Sequence, residues 1–383
     1  MNLNVKPAIL SFIDWYKPAY KAGGPVRSMV NLAELLQDDV ALYVVCGDRE
    51  IDGHKLNVEL NSWIHQDTNE QVSYCKKPTL ALIKEWVKQH PNGVFHINGI
   101  YSARFSILPL FLLKTFFPNK RIVVSPRGML NEGALQIKPF KKNAFIAFAR
   151  GLGLFNNVIW HTTSEEEEQR IRKFFPTVKQ MKVLSNIPIA PVKPAMQCEK
   201  NAGSLQMFAV TRIVPIKKLE TILNALKRYP VPGNITFDVF GPIEDQRYAE
   251  ILTQLATEIP NLTFHFKGAV EPNKLSELST HYHLFCLPSS NENFGHSIYE
   301  AFANACPVLI SDQTPWKNLQ NEKAGFELAL NNLKGFSDRM TMFSAMTTDE
   351  LEQWRQGAFV FAQKHYNKEK WIASYLTLFV PNE

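Results

Sequence analysis

Two glutamates eight positions apart, in the run Glu292-Asn-Phe-Gly-His-Ser-Ile-Tyr-Glu300, are the residues most able to do chemistry. An apolar run, His283 to Pro288, reads as a strand and leads through a polar turn to Glu292. Ser297 to Ala303 reads as a helix. Glu292 is therefore expected on a loop at the carboxyl end of a strand, and Glu300 inside the helix, about two turns on. Gly295 allows close backbone approach, and the helix N-terminus favours a negative charge. Asn293, Phe294, Gly295 and His296 are placed to present backbone N–H groups there. Two carboxylates beside an anion pocket suit a sugar diphosphate: carboxylates accept from hydroxyls, and N–H groups hold phosphate.

Cations and glycines that complement such a site occur elsewhere. Arg212 and Lys217 follow the strand-like Phe208-Ala-Val210. Arg suits bidentate phosphate binding and Lys supplies a point charge. Lys218 replaces Lys217 if the loop register differs, and an exposed Lys-Lys pair at a helix start is the plainer alternative. Gly23-Gly24-Pro25 lies between a first strand and the helical run Val26–Leu36. Pro25 fits a first helical turn, and two glycines permit close contact with phosphate or sugar, although such a tripeptide is also an ordinary turn.

Taken together, these stretches resemble glycosyltransferase family 4. Leu287 to Ala301 resembles its Glu-x7-Glu motif, Thr211 to Leu219 its diphosphate clamp, and Ala22 to Val26 its N-terminal glycine loop. Ser125-Pro-Arg-Gly-Met129 is similar to a run in bacterial members that build surface polysaccharides. The four motifs span the chain in the family's order. The resemblance implies an α/β protein of the GT-B fold, with two Rossmann-like domains whose parallel sheets face across a cleft. It implies a retaining transferase that takes a sugar from a nucleotide-diphosphate sugar, with no cofactor and no metal. The acceptor would be a saccharide or lipid-linked saccharide, in cell-surface polysaccharide or lipopolysaccharide synthesis.

By the same resemblance Arg212 and Lys217 neutralise the leaving diphosphate, Glu292 faces the donor sugar, and Glu300 holds the ribose. Gly268 and Val270 would receive the base through backbone contacts. Arg127 and Tyr101 are acceptor candidates; for Arg127, donor phosphate or a structural ion pair is equally open. The family's His-x-His-Gly becomes His96-Ile-Asn98-Gly99 here. Asn98 could still reach a sugar hydroxyl, while His96 is expected on the opposite face of the strand. Ala305, where glycine is common, reads as a packing change. A nucleotide-sugar epimerase and a non-catalytic nucleotide-sugar-binding protein remain alternatives, and incubation with donor alone distinguishes the first.

The elements that must position these groups are legible as alternation. Ala8–Ile13, Val40–Val45, Gly93–Ile97, Arg121–Ser125 and Val158–His161 read as strands in one half. Phe208–Val210, Thr236–Phe240, Leu262–Phe266, Leu284–Leu287 and Val308–Ile310 read as strands in the other. Helical patterns between them argue for covered parallel sheets. Ser164 reads as a helix cap with Glu167 at the capping-box position. Residues 1–187 are expected as an N-terminal domain, 188–203 as a linker and 204–363 as a C-terminal domain. A last helix at about 364–383 returns to the first domain, an expectation taken from the resemblance.

At 383 residues and 45% hydrophobic composition the chain can bury two cores. No apolar stretch is long enough to span a membrane, and the first residues lack a signal peptide's order. Five scattered cysteines without a Cys-x-x-Cys fit a reducing cytoplasm. No Walker sequence, dinucleotide fingerprint or Asp-x-Asp is present, and His281-Tyr-His283 has no companion ligand. No nucleic-acid partner is implied. The net charge of +6 is uneven: residues 1–190 hold 24 basic against 16 acidic side chains, and residues 101–150 hold nine against one, Glu132. Lys138, Lys141, Lys142 and Arg150, interleaved with Phe140, Phe145 and Phe148, could rest on an anionic membrane surface. The rival is a cleft-lining helix whose phenylalanines are core.

Overall fold

Runs of β-branched and aromatic residues bounded by turns become strands, and the helical patterns between them become their crossovers. The computed structural model describes residues 6–131, 135, 139–195 and 200–380. Cys198, Glu132, Ile137 and Lys138 lie outside these, as do parts of the expected first residues, linker and C-terminus. Two units result. One holds the residues up to Ile187 together with those from Lys368 onward, and the other holds Pro188–Asn367.

The first unit is built on β1 (Ala8–Phe12), β2 (Ala41–Cys46), β3 (Ile64–His65), β4 (Gln71–Tyr74), β5 (Val94–Asn98), β6 (Ile122–Ser125), β7 (Ile159–Thr162) and β8 (Gln180–Val183). Their order across the sheet is β3-β4-β2-β1-β5-β6-β7-β8, all parallel except β3 against β4. Both faces are covered, so β1, β5, β6 and β7 are buried along their whole length. The helix Lys368–Phe379 closes one face, where Tyr375, Leu378 and Phe379 join the core around Ile9 and Met29.

The second unit has β9 (Ser204–Val210), β10 (Asn234–Phe240), β11 (Leu262–Gly268), β12 (Leu284–Leu287), β13 (Val308–Ser311) and β14 (Gly325–Leu328). They run in parallel in the order β11-β10-β9-β12-β13-β14. The stretch expected as a linker is tied to this unit. Val192 donates its N–H to the Ala303 carbonyl at 2.8 Å, and Arg355 Nη2 donates to the Pro194 carbonyl at 2.9 Å.

Three local expectations are corrected. His96 and Asn98 share one face of β5, as a two-residue period requires, and both reach Ser11 Oγ, at 3.2 and 2.9 Å. Ala305 has a φ of +57°, so the glycine common at that position serves a left-handed backbone, not packing. Ser164 caps its helix by accepting the Glu167 N–H, but the Glu167 carboxylate passes over Ser164. It accepts instead from the Thr163 N–H at 2.8 Å and the Gly128 N–H at 2.6 Å.

Candidate functional site

In an open parallel sheet, a crevice forms at the carboxyl ends of the strands where neighbouring connections leave in opposite directions. The second sheet reverses between β9 and β12. The loop after β9 carries Arg212, Lys217 and Lys218, and the loop after β12 carries Glu292. Lys217 closes a short turn, Pro215–Lys217, and Lys218 follows in the left-handed region with φ +52°. The two lysines therefore diverge. Lys217 Nζ meets Glu292 Oε1 at 2.6 Å, both side chains mostly covered, whereas Lys218 lies 3.6 Å from Glu220 at the next helix start.

The two loops are also joined through backbone. The Ile216 carbonyl accepts from the Ser290 N–H at 2.9 Å, Ser290 Oγ at 3.0 Å and Ser289 Oγ at 3.3 Å. Beyond them, Tyr248 Oη accepts the Leu219 N–H at 2.8 Å and is bonded to Glu220. Arg212 is paired with Glu244, Nη1 to Oε2 at 2.9 Å, with 41% of its side chain exposed. Glu244, Ser289 and Ser290 were not singled out from sequence, and nothing in their spacing marks them.

Gly295 stands at the cap of the helix His296–Ala303 with φ +74°, where an added Cβ would lie 3.0 Å from Ile298 Cδ1. Glycine is required there by conformation. Phe294 is buried against Trp316, whose Nε1 donates to the Phe294 carbonyl at 2.7 Å. This fixes Asn293, Phe294 and His296 at the helix entrance. Glu300 is buried along the same helix, beside a small pocket walled by Val210, Leu275, Ser279, Ser297 and Asn304. Gly268, with φ +74°, ends β11 and gives its carbonyl to the Gly241 N–H; Val270 packs on the core just after it. Among the described residues no group of three or more His, Cys, Asp or Glu could hold a metal ion.

In the first unit, Gly23 caps the helix Gly24–Leu36 with φ +72°, and a Cβ there would meet nothing within 4 Å. The preceding loop hangs on the buried Glu50, which accepts the Tyr20 and Lys21 N–H groups at 2.6 and 3.0 Å. The Asn98 amide is engaged inside the unit. Its Nδ2 donates to Ser11 Oγ, and its Oδ1 accepts from Arg127 Nη2 at 3.2 Å. Arg127, with φ +54°, also donates to Asn186 Oδ1 at 2.8 Å. Arg127 is thus held by two amide oxygens, those of Asn98 and Asn186. Tyr101 packs edge-on to Phe145 under Lys142, and burial pushes its phenol up to about 12.

The helix Pro139–Gly151 divides its phenylalanines. Phe145 joins the core, whereas Phe140 is 91% exposed and Phe148 60%. No helix among the described residues is long and apolar enough to cross a membrane.

Comparison with known proteins gives these features a setting. Residues 196–359 match the family Glycosyl transferases group 1. The UDP-N-acetylglucosamine–peptide N-acetylglucosaminyltransferase GtfA subunit of Streptococcus parasanguinis is 24% identical over 238 residues, 55% of this chain and 45% of that one. The chain thus aligns with less than half of that relative. Sucrose-phosphate synthase from Thermosynechococcus elongatus superposes with a TM-score of 0.69 at 14% identity, covering 98% of each chain. Anabaena HepE in complex with UDP and glucose superposes with a TM-score of 0.65 at 13% identity, covering 96% of this chain and 98% of that one. Both likenesses establish the shared fold.

Proposed function

Through residues 196–359 this chain belongs to the glycosyl transferases group 1 family, and we propose that it is a retaining enzyme moving a sugar from a nucleotide-diphosphate sugar to a saccharide hydroxyl. The observation that carries this reading is the meeting of Lys217 and Glu292 at the reversal of the second sheet, with Glu300 buried in the following helix. The Streptococcus relative is named for UDP-N-acetylglucosamine and the Anabaena structure holds UDP and glucose, so the donor proposed is a UDP-sugar.

Lys217 and Arg212 receive the diphosphate. Charge builds on that group as the glycosyl–oxygen bond breaks, and fixed cations stabilise it as it forms. Glu292 accepts hydroxyls of the donor sugar while still paired with Lys217, which couples recognition of the sugar to recognition of the phosphates. Glu300 accepts the ribose hydroxyls. The acceptor oxygen attacks from the face the diphosphate leaves, and its proton passes to a phosphate oxygen. No metal ion is required, because the two side-chain cations supply the charge. Thermal-shift measurement with UDP, GDP, ADP and CDP, each with and without a chelator, tests the reading. UDP should raise the melting temperature equally in both conditions. No shift with any nucleotide overturns it.

The acceptor proposed is a lipid-linked saccharide at an anionic membrane. Phe140 and Phe148 project from a helix that also exposes Lys141 and Arg150, a pattern that combines apolar insertion with charge attraction. Sedimentation with anionic vesicles should retain the chain at low salt. The triple variant Phe140→Ser, Lys141→Glu, Phe148→Ser should lose it by at least tenfold, and equal binding removes this part of the proposal.

A further inference from the structure

The first sheet has a reversal of its own. From β1 the chain passes to β2 on one side, and β5 flanks β1 on the other. The connections after β1 and β5 therefore part, and a crevice opens between them. In the second unit the matching place is spanned by Lys217 and Glu292. In the first unit it is spanned by Asp14 and Ser102, 88 positions apart, with Ser102 Oγ donating to Asp14 Oδ1 at 2.6 Å.

Three strand ends converge on this aspartate. Gly47, just past β2, donates its N–H to the Asp14 carbonyl at 3.1 Å, and a Cβ on Gly47 would lie only 2.7 Å from that oxygen. Ser102 also accepts the Phe105 N–H at 3.1 Å, which fixes its hydroxyl and turns the hydrogen toward Asp14. The carboxylate is half-buried. Burial raises its pKa, while Ser102 and the nearby exposed Arg104 oppose the rise. Trp15 and Tyr101, the chain neighbours of Asp14 and Ser102, are both half-buried.

We infer that Asp14 is the saccharide-binding carboxylate of the first unit, accepting a hydroxyl of the acceptor on Oδ2 while Ser102 holds Oδ1. A carboxylate accepts strongly from hydroxyls and repels phosphate, so the part of the acceptor that docks here is a neutral sugar ring. The inference rests on the transferase reading, since it supplies that reaction's acceptor.

The test uses the full chain and saturation-transfer NMR with the methyl glycosides of glucose, galactose, mannose and N-acetylglucosamine, in the presence of UDP. Wild type should saturate at least one glycoside. Asp14→Ala should weaken that signal at least tenfold, the loss expected for a charge-assisted hydrogen bond. Asp14→Asn preserves shape and the bond from Ser102, and should weaken it severalfold; it decides the matter if the alanine variant fails to fold. Stabilisation by UDP should persist in both. Glycoside binding unchanged in the variants, or no glycoside bound by wild type, overturns the inference. Loss of the UDP shift in wild type overturns the transferase reading instead.

Discussion

Lys217 and Lys218 are adjacent and chemically alike, yet the left-handed backbone of Lys218 itself sends them to different partners. Lys217 meets Glu292, and Lys218 meets Glu220. Lys217→Ala should therefore lower turnover at limiting donor by tenfold or more, since a charge-assisted phosphate contact contributes about 1.5–3 kcal/mol. Lys218→Ala should change it less than threefold. Equal losses in steady-state kinetics would return the assignment to an unresolved register. The two glutamates should separate as well. In the proposed reaction Glu300 meets the ribose, which does not react, so Glu300→Ala should raise the donor KM. Glu292 there meets the sugar whose charge changes, and only differential binding raises kcat, so Glu292→Ala should lower kcat. The reverse split refutes this division. All four residues were legible because they lie in short runs with type and spacing intact. Asp14 and Ser102 were not, because their relation exists only in the order of strands.

At the scale of elements, Glu167 stitches a loop to a helix. Its buried carboxylate accepts from Gly128 in the turn after β6 and from the Thr163 N–H and hydroxyl before its own helix. Glu167→Ala strands two backbone donors, and a buried donor without a partner costs about 1–3 kcal/mol. A loss of roughly 3 kcal/mol in urea unfolding of the first unit is expected, and a loss below 1 kcal/mol would show that water replaces the carboxylate. The sequence showed a capping box because Ser and Glu stood at the right interval. It could not show that the carboxylate turns instead to Thr163, four residues back, and to Gly128, 39 residues upstream. The strands read from sequence are those with continuous apolar runs. β3, β4, β8 and β14 were missed because they are short or polar; Gln180-Met-Lys-Val183 has no buried residue, since it lies at the sheet edge.

At the scale of the whole molecule, a polar network inside the first unit makes its stability depend on pH. His161 Nε2 faces the Leu184 carbonyl at 3.0 Å and so carries the proton, leaving Nδ1 to accept from Ser125 Oγ at 2.8 Å. Ser125 Oγ in turn accepts from His96 Nε2 at 2.8 Å, and His96 Nδ1 faces Ser11 Oγ at 3.2 Å. One direction of donation thus runs from β1 through β5 and β6 to β7, with both imidazoles neutral. Burial, with Arg127 nearby, lowers the His161 pKa to about 3 and holds that of His96 well below its ordinary range. Unfolding frees both rings to bind protons below about pH 6.5. The unfolded state then holds more protons, so stability is complete above that pH and falls as pH drops toward 3. Each ring adds up to ~1.36 kcal/mol per pH unit to the slope. Amide exchange in β6 and β7 between pH 7 and 4.5 reads the first unit by itself. His161→Gln keeps a hydrogen-bonding side chain that does not titrate, so its slope should be shallower than wild type by about that amount. Parallel slopes would mean that His161 carries a second ring proton, on Nδ1, in the folded chain, and the direction of the whole network would have to be reversed.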